Sequence, residues 1–597
     1  MKPTTAQPHV ISLLLSGSLC LLPFLPPYHQ LPVLSFQAEW LAGALGAGAA
    51  LAVLAARDVS IVSLPVPARW LIAFALFLAL QAAGGGQAYP QLPLLAALYV
   101  LYAVLMMWLG AQLVAALGFE RVVIVLAAFL LAGALANALS GVIQFYGPPA
   151  LLEDVIAELH GSRAYGNIAQ ANLYANYLAL GESALLFLWL RGRVRTAYAL
   201  AALVLLVLGS ALSGSRSALL YALWIAALGP LAERIQKGAE ARRLKFAAYA
   251  VAVATLAAHF AVPWFNGALR LGPTGEGAFD RLLASSAEQA GPRWQAYLLA
   301  LRMFGAAPIA GVGPGEFAGA AFELGLDPSL TQSGEIWTSP HNLPLHLLAE
   351  TGAVGAALVL GGLCVWAWRA ARRYRADPQP ALWWIITGAG IELIHSLIEF
   401  PMWSAHFLGV TALLMGSGAT LAMDSGAVSH RNRIVATAAC AALAVALGTL
   451  LKDYVRLDST RFTGTTVTLA PAADAQRDAA TMRELAHGLM APLAELWIVM
   501  GMPLERSDLA AKLAVSERVV RCWPANAVVV RRAVFLAFDG DAENARGLLA
   551  RALRTFPHQR QATIAILQQA LAAAPGAIEP LLLMAGSMRD AAPGPQE

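Results

Sequence analysis

A chain of 597 residues that is 58% hydrophobic and only 13% charged is too apolar for a soluble enzyme and too rich in core-forming residues for an unfolded chain. Its mean hydropathy of +0.62 comes from apolar runs of bilayer-spanning length. The net charge of +4 does not imply nucleic acid, because the basic residues follow a membrane-topology bias.

Thirteen runs are candidate spans: 10–27, 38–56, 68–83, 92–117, 122–146, 167–190, 196–212, 216–230, 244–264, 342–368, 381–398, 402–423 and 433–451. The third, seventh and eighth are short. The first follows Lys2, but it carries Pro23, Pro26 and Pro27 near its end and no small-x-small site follows, so an uncleaved first helix is expected. With the N-terminus inside, the inner loops hold Arg57 and Arg69; Arg121; Arg191, Arg193 and Arg195; Arg234, Lys237, Arg242, Arg243 and Lys245; Arg369, Arg372, Arg373 and Arg375; and Arg431 and Arg433. The outer loops before residue 265 hold only Arg163 and Arg216. The positive-inside rule therefore fixes an expected orientation.

Four parts follow: an N-terminal membrane bundle (1–264), a long outer loop (265–341), C-terminal membrane helices (342–451) and an outer tail (452–597). The loop is rich in Gly and Pro, yet Trp294, Phe304, Phe317, Phe322 and Trp337 predict that it is partly folded and helical. The tail has a helical pattern. Its pairs Trp523-Pro524 and Phe556-Pro557 stand 33 residues apart, close to the tetratricopeptide period; a plain helical bundle is the competing reading. Cys20, Cys364, Cys440 and Cys522 allow no disulfide framework and no Cys-x-x-Cys site.

Polar groups at membrane depth are costly and usually mark a cavity or site. Four groups stand out, all on the expected outer side. In HGSRAYGNIAQANLYANYL, Arg163 precedes a stripe of Asn167, Gln170, Tyr174 and Tyr177 on one helix face. The stripe suits a sugar or head-group groove, or else interhelical hydrogen bonding with an aromatic belt; Asn172 and Asn176 lie off it and fit the second reading. In SGSRS, Arg216 sits at a hairpin tip, where a guanidinium can fork onto phosphate or merely meet lipid head groups. In GPRWQAYLLALRMF, Arg293 beside Trp294 would complete an anion cradle, with Arg270, Arg281 and Arg302 as competitors. In SPHNLPLHLLAE, Asn342, His346 and Glu350 share a face behind His341, and Glu392, His395 and Glu399 repeat the pattern in the next span. A neutral His can take a proton from an alcohol. The alternative is a structural network joining these two spans. No metal is expected, since His341 and His346 are five residues apart, the wrong spacing for a ligand pair. Two or three arginines for phosphate and a histidine for an alcohol fit transfer from a lipid phosphate to a hydroxyl.

RAYGNIAQANLYANYL, SGSRSALL, GVGPGEF, SPHNLPLHLLAETGAVG and HSLIEFPMW resemble the bacterial protein O-oligosaccharyltransferases of the PglL type, within the O-antigen ligase and Wzy polymerase superfamily. The resemblance runs from about residue 140 to the end. It implies an all-α inner-membrane glycosyltransferase using undecaprenyl-diphosphate-linked glycan, with no nucleotide sugar, metal or other cofactor. The site and the tetratricopeptide-like tail would face the periplasm. The resemblance assigns His341 as catalytic and Gln170 as required. It assigns Arg163, Arg216 and Arg293 to the diphosphate, with Asn167 beside them. Asn342, His346, Glu350, His395, Glu399 and Tyr174 are expected to support. The family commonly has Gln-Pro-Asn at Gln170-Ala171-Asn172 and often Glu-Tyr-Pro at Glu399-Phe400-Pro401, so no phenol role carries over to Phe400. The expected partners are the lipid-linked glycan, membrane lipid, and an acceptor: a pilin or periplasmic protein, or lipid A core. A ligase to lipid A core and a repeat-unit polymerase use the same chemistry. A flippase would need polar groups on both sides of the membrane.

Overall fold

The computed structural model describes residues 7–29, 33–55, 62–273, 277–278, 290–324, 336–419, 430–459 and 480–587. Arg57 and Arg281 lie outside them, as do parts of the long loop. Among the described residues every regular element is helical, and the chain is a polytopic membrane helix bundle.

Nine helices precede the loop: α1 (Gln7–Leu19), α2 (Phe36–Leu54), α3 (Val66–Ala83), α4 (Gln91–Leu117), α5 (Phe119–Tyr146), α6 (Ala171–Leu190), α7 (Thr196–Leu212), α8 (Ser217–Ile235) and α9 (Ala239–Leu269). The loop contributes α10 (Ala290–Ala306) and α11 (Phe317–Leu324). Then follow α12 (Leu343–Ala376), α13 (Pro380–Ser396), α14 (Ala405–Gly418) and α15 (His430–Asp458). The tail gives α16 (Ala491–Gly501), α17 (Leu509–Cys522), α18 (Asn526–Asp539), α19 (Ala542–Thr555), α20 (Arg560–Leu571) and α21 (Pro575–Ser587).

Ten helical segments among the described residues are long and apolar enough to cross a bilayer, against thirteen expected; the first is α1 together with the 3-10 turn that carries it on to Phe24. The three that fall short are α7 with 17 residues, α13 with 17 and α14 with 14. At 1.5 Å per residue, 14–17 residues cover roughly 21–26 Å, less than a hydrocarbon core of about 30 Å. The third and eighth runs, short in sequence, gain residues at their ends and fold as helices of 18 and 19.

Contacts divide the chain into two compact units. The first comprises Met1–Ala75, Leu98–Ala287 and Ala357–Gly448; the second comprises Leu76–Ala97, Glu288–Ala356 and Thr449–Glu597. The first unit buries a core of Leu, Val, Ala and aromatic residues, with Trp383, Trp384 and Phe187 at 2% exposure or less. The second unit buries Val528, Val529, Val530, Val534 and Phe535, all fully. Its α18–α19 pair is bounded by Trp523-Pro524 and Phe556-Pro557, because each Pro lacks the N–H that would continue the preceding helix. Gly540, at φ 91°, closes α18, and the Asp541 side chain accepts from Asn544 N at 3.2 Å to start α19.

Candidate functional site

In the first unit, residues 155–170 form an irregular loop held from below by amides on α5. Gln144 donates to Ala157 O (2.7 Å) and Gly166 O (3.0 Å), and its own oxygen accepts from Tyr165 N and Gly166 N. Asn167 donates both side-chain N–H groups, to Leu25 O and Val155 O at 2.8 Å, and accepts from Ala157 N. With its donors committed to backbone, Asn167 shapes the loop that carries Arg163. Ala169 takes φ 62°, a left-handed conformation costly for a residue with a Cβ, and this turns the chain into α6. Gln170 is the N-cap: its Oε1 accepts from Leu173 N at 2.7 Å.

The expected stripe divides at this point. Tyr174 and Tyr177 do not line an open groove; both are fully buried. Tyr177 donates to Cys20 O at 2.6 Å and stacks on Phe24 with centroids 3.9 Å apart. Tyr174 lies against Gly141, where an added Cβ would stand 2.1 Å from the phenol oxygen. The residue off the stripe, Asn172, reaches the polar cluster. Its Oδ1 accepts from Arg163 Nη2 (2.9 Å) and Ser215 Oγ (2.8 Å), and its Nδ2 donates to Glu399 Oε1 (2.8 Å). One amide thus links a guanidinium, the SGSRS turn and a carboxylate that is 5% exposed. Sequence spacing missed Asn172; its place two residues after Gln170, in the motif itself, was the available signal.

Arg163 is held further by Nε–H donation to Ser213 O at 2.7 Å. With Ser162, Gly214, Pro263 and Asn266 it lines a cavity of about 130 Å³ between α7 and α9. In the adjoining turn Ser213, Ser215 and Ser217 are buried, the last two sharing a hydrogen bond at 2.7 Å. Arg216 is half-buried at the N-cap of α8, where the positive end of the helix dipole favours an anion. Behind it, Tyr221 of α8 hydrogen-bonds His395 Nδ1. Asn176 and Glu392 are buried, at 0% and 2% exposure. His395 and Glu399 therefore lie in the first unit with Arg163 and Arg216. Phe400 is 38% exposed and its ring meets Trp403 at 5.1 Å.

The second unit holds the other expected residues. His341 is half-buried and takes φ 49°, one of four non-glycine residues with positive φ among the described residues. Its N–H donates to Ser339 Oγ (3.0 Å), and Trp337 presents an edge-to-face ring at 5.7 Å. Asn342 caps α12 by accepting from Leu345 N at 3.1 Å. Strained backbone between a Pro and a cap aims one side chain, and such strain clusters at functional positions.

His346 and Glu350 form a pair at 2.9 Å, each with a side chain 9% exposed. Phe317 stacks on His346 at 5.8 Å, and its N–H points to Glu350 Oε1 at 3.4 Å. The GVGPGEF turn docks on the same stretch: Val312 N donates to Ala349 O (2.9 Å) and Gly313 N to Glu350 O (3.1 Å). Gly352, at φ 62°, breaks α12 there so that Ala353 N can reach Pro308 O at 2.8 Å. A Cβ on Gly311 would stand 2.2 Å from Glu350 C. Gly311→Ala is therefore expected to destabilise the protein by about 2 kcal/mol or more, through overpacking and a positive-φ penalty, read as a lower melting temperature.

Glu316, 6% exposed, accepts from Ala88 N (2.6 Å) and from Arg521 Nη2 (2.7 Å). Glu495 binds Arg518 through both oxygens (2.6 and 3.1 Å) and takes the Tyr89 proton donor at 2.7 Å. Burial and then Glu495 push the Tyr89 phenol pKa up, and the Glu495 bonds raise that of Arg518. Both acids tie tail helices to residues 86–89 and the loop. Sequence reading passed over them, because Arg521 lies 205 positions from Glu316 and Tyr89 lies 406 from Glu495. Arg293 is half-buried on α10, next to Trp294 at 60% exposure; Arg302 is exposed. No group of three or more His, Cys, Asp or Glu suited to a metal ion occurs among the described residues.

Residues 177–360 match the family model described as O-Antigen ligase. Residues 383–570 match the model described as Virulence factor membrane-bound polymerase, C-terminal. Together these matches support the O-antigen ligase and Wzy superfamily. The first match contains Arg216, Arg293, His341 and the GVGPGEF turn. The second contains Glu392, His395, Glu399 and most of the tail helices. No curated protein matches the chain.

Proposed function

We propose that this chain transfers a glycan from an undecaprenyl-diphosphate carrier to Ser or Thr hydroxyls of periplasmic or pilin proteins, at the outer face of a bacterial inner membrane. The observation that carries this reading is the Arg163–Asn172–Glu399 hydrogen-bond chain set against the SGSRS turn. It fixes one guanidinium against the turn that carries a second arginine, Arg216, at a helix start, which suits a pair of linked phosphates. His341 binds and helps deprotonate the acceptor hydroxyl. The hydroxyl oxygen then forms a bond to the anomeric carbon as the carbon–oxygen bond to the diphosphate breaks. Arg163, Arg216 and Arg293 stabilise the charge that develops on the leaving diphosphate. A single displacement inverts the anomeric carbon. Gln170 positions the donor by starting α6 beside Arg163, and the tail, read as tetratricopeptide-like, presents the acceptor protein.

The family descriptions favour a second reading on the same chemistry, in which the acceptor is lipid A core or a further repeat unit. Expression in cells that build a lipid-linked glycan and lack a native ligase separates these. Glycan on protein Ser or Thr, detected by mass spectrometry, supports the proposal. Glycan only on lipid A core, seen by gel, makes the chain a ligase, and longer lipid-linked chains make it a polymerase. Arg216→Lys is expected to lower transfer by about 10-fold or more, because a point charge loses the fork geometry. Full activity in that variant would return Arg216 to an incidental head-group contact.

A further inference from the structure

A second anion-attracting place lies in the first unit, at the far end of α14 from Glu399. Gly418 ends α14, whose 14 residues separate it from the Glu399 segment by about 20 Å. There a cavity of about 380 Å³ opens between the start of α3, the last turns of α12 and the end of α14. Four arginines line it: Arg69, Arg369, Arg372 and Arg373. Asp377 is the one acid among its lining residues.

The arginines are arranged for a ligand at the level of lipid head groups. Arg373 donates to Gly418 O and lies over the Phe119 ring at 4.3 Å, so its guanidinium is fixed. Arg69 donates Nε–H to Leu64 O at 3.3 Å. A guanidinium has five N–H donors, so one such bond leaves donors over. Arg369 and Arg372 are exposed, and Arg372 stacks on Trp368 at 5.6 Å. Trp368 is itself 59% exposed, at a helix end, as side chains of the membrane–water interface are. The remaining wall is apolar, with Leu64, Pro65, Val66 and Ala370. Four cations with one acid repel one another unless an anion sits among them, and apolar walls beside them suit acyl chains rather than water.

We propose that this cavity binds the phosphate of an anionic phospholipid, cardiolipin or phosphatidylglycerol, at a site separate from the proposed donor site. The bound phosphate bridges the starts and ends of α3, α12 and α14, and its acyl chains lie along the apolar wall.

The test uses the full-length protein purified in neutral detergent and native mass spectrometry. Wild type is offered cardiolipin, phosphatidylglycerol or phosphatidylcholine at matched concentration, beside Arg369→Gln/Arg372→Gln. Retention of the two anionic lipids over phosphatidylcholine, weakened on the order of 10-fold in the double variant, is the expected result. Should the double variant not accumulate, Arg372→Ala alone must weaken anionic-lipid retention. Equal retention by variant and wild type overturns the site. Displacement of the lipid by millimolar inorganic phosphate overturns the lipid source and assigns the cavity to a soluble phosphate.

Discussion

Replacing His341 by Gln is expected to abolish glycan transfer while the protein still accumulates and folds. General-base assistance contributes about 10²–10⁴-fold, so the residual rate should fall by at least 10²-fold. The backbone supplies the control. His341 sits at φ 49°, where Asn is better tolerated than most residues. His341→Asn therefore keeps the turn between Pro340 and the Asn342 cap while removing the imidazole. Both variants should be inactive, and His341→Asn should keep the melting temperature more closely. Activity in either one near the wild-type level would remove His341 from the mechanism. A large loss of melting temperature in both, with activity falling in proportion, would make the residue structural.

Asn172→Ala carries the second large effect. It cuts the link between Arg163 and Glu399 and leaves a carboxylate that is 5% exposed without one of its donors. Breaking a buried charged network by removing one partner costs about 3–5 kcal/mol, part of which Arg163 can recover by turning toward Glu399. Transfer should fall about 10²-fold, because Arg163 loses its fixed direction. The double variant Asn172→Ala/Glu399→Gln separates the two effects. It should recover much of the stability, since no charge is stranded, and none of the activity. Activity recovered together with stability would show that Asn172 acts on the fold alone.

Much of this was legible in the chain. Apolar runs located every helix that is long enough to cross a membrane, and span-length hydrophobicity is a local property of the sequence. Pro after an aromatic residue marked both ends of the α18–α19 pair, again by local chemistry. The left-handed turn at His341 was not visible, although Pro340 and Asn342 flank it. The run 196–212 gave α7 its bounds, whereas the runs 381–398 and 402–423 are longer than α13 and α14, because hydropathy continues past the residues where the backbone leaves the helix.

Periodicity left two readings open for the α6 stripe, and at Tyr174 and Tyr177 the packing reading holds. Tyr174 and Tyr177 share a stripe with Gln170, and spacing alone cannot say whether a stripe meets a cavity or a neighbouring helix. Small residues on facing helices decide that: Gly141 opens a notch that the Tyr174 ring fills. The same is true of His346 and Glu350, which spacing put on a face behind His341. Phe317 and the GVGPGEF turn cover that face, so the pair ties a turn to a helix.

By itself the sequence determined that this is a polytopic helical membrane protein and where its spanning helices lie, and it singled out the polar residues that are candidates for a site. Each of those properties depends on neighbours within a turn or a span. Only the tertiary structure decided that Asn172 joins Arg163 to Glu399, that Tyr221 meets His395, and that Glu316 meets Arg521. Apart from Arg163 and Asn172, nine positions apart, the partners are separated by 174 to 227 positions. Which of many polar side chains come within hydrogen-bond reach is set by how helices pack, through the notches and volumes of side chains that carry no charge.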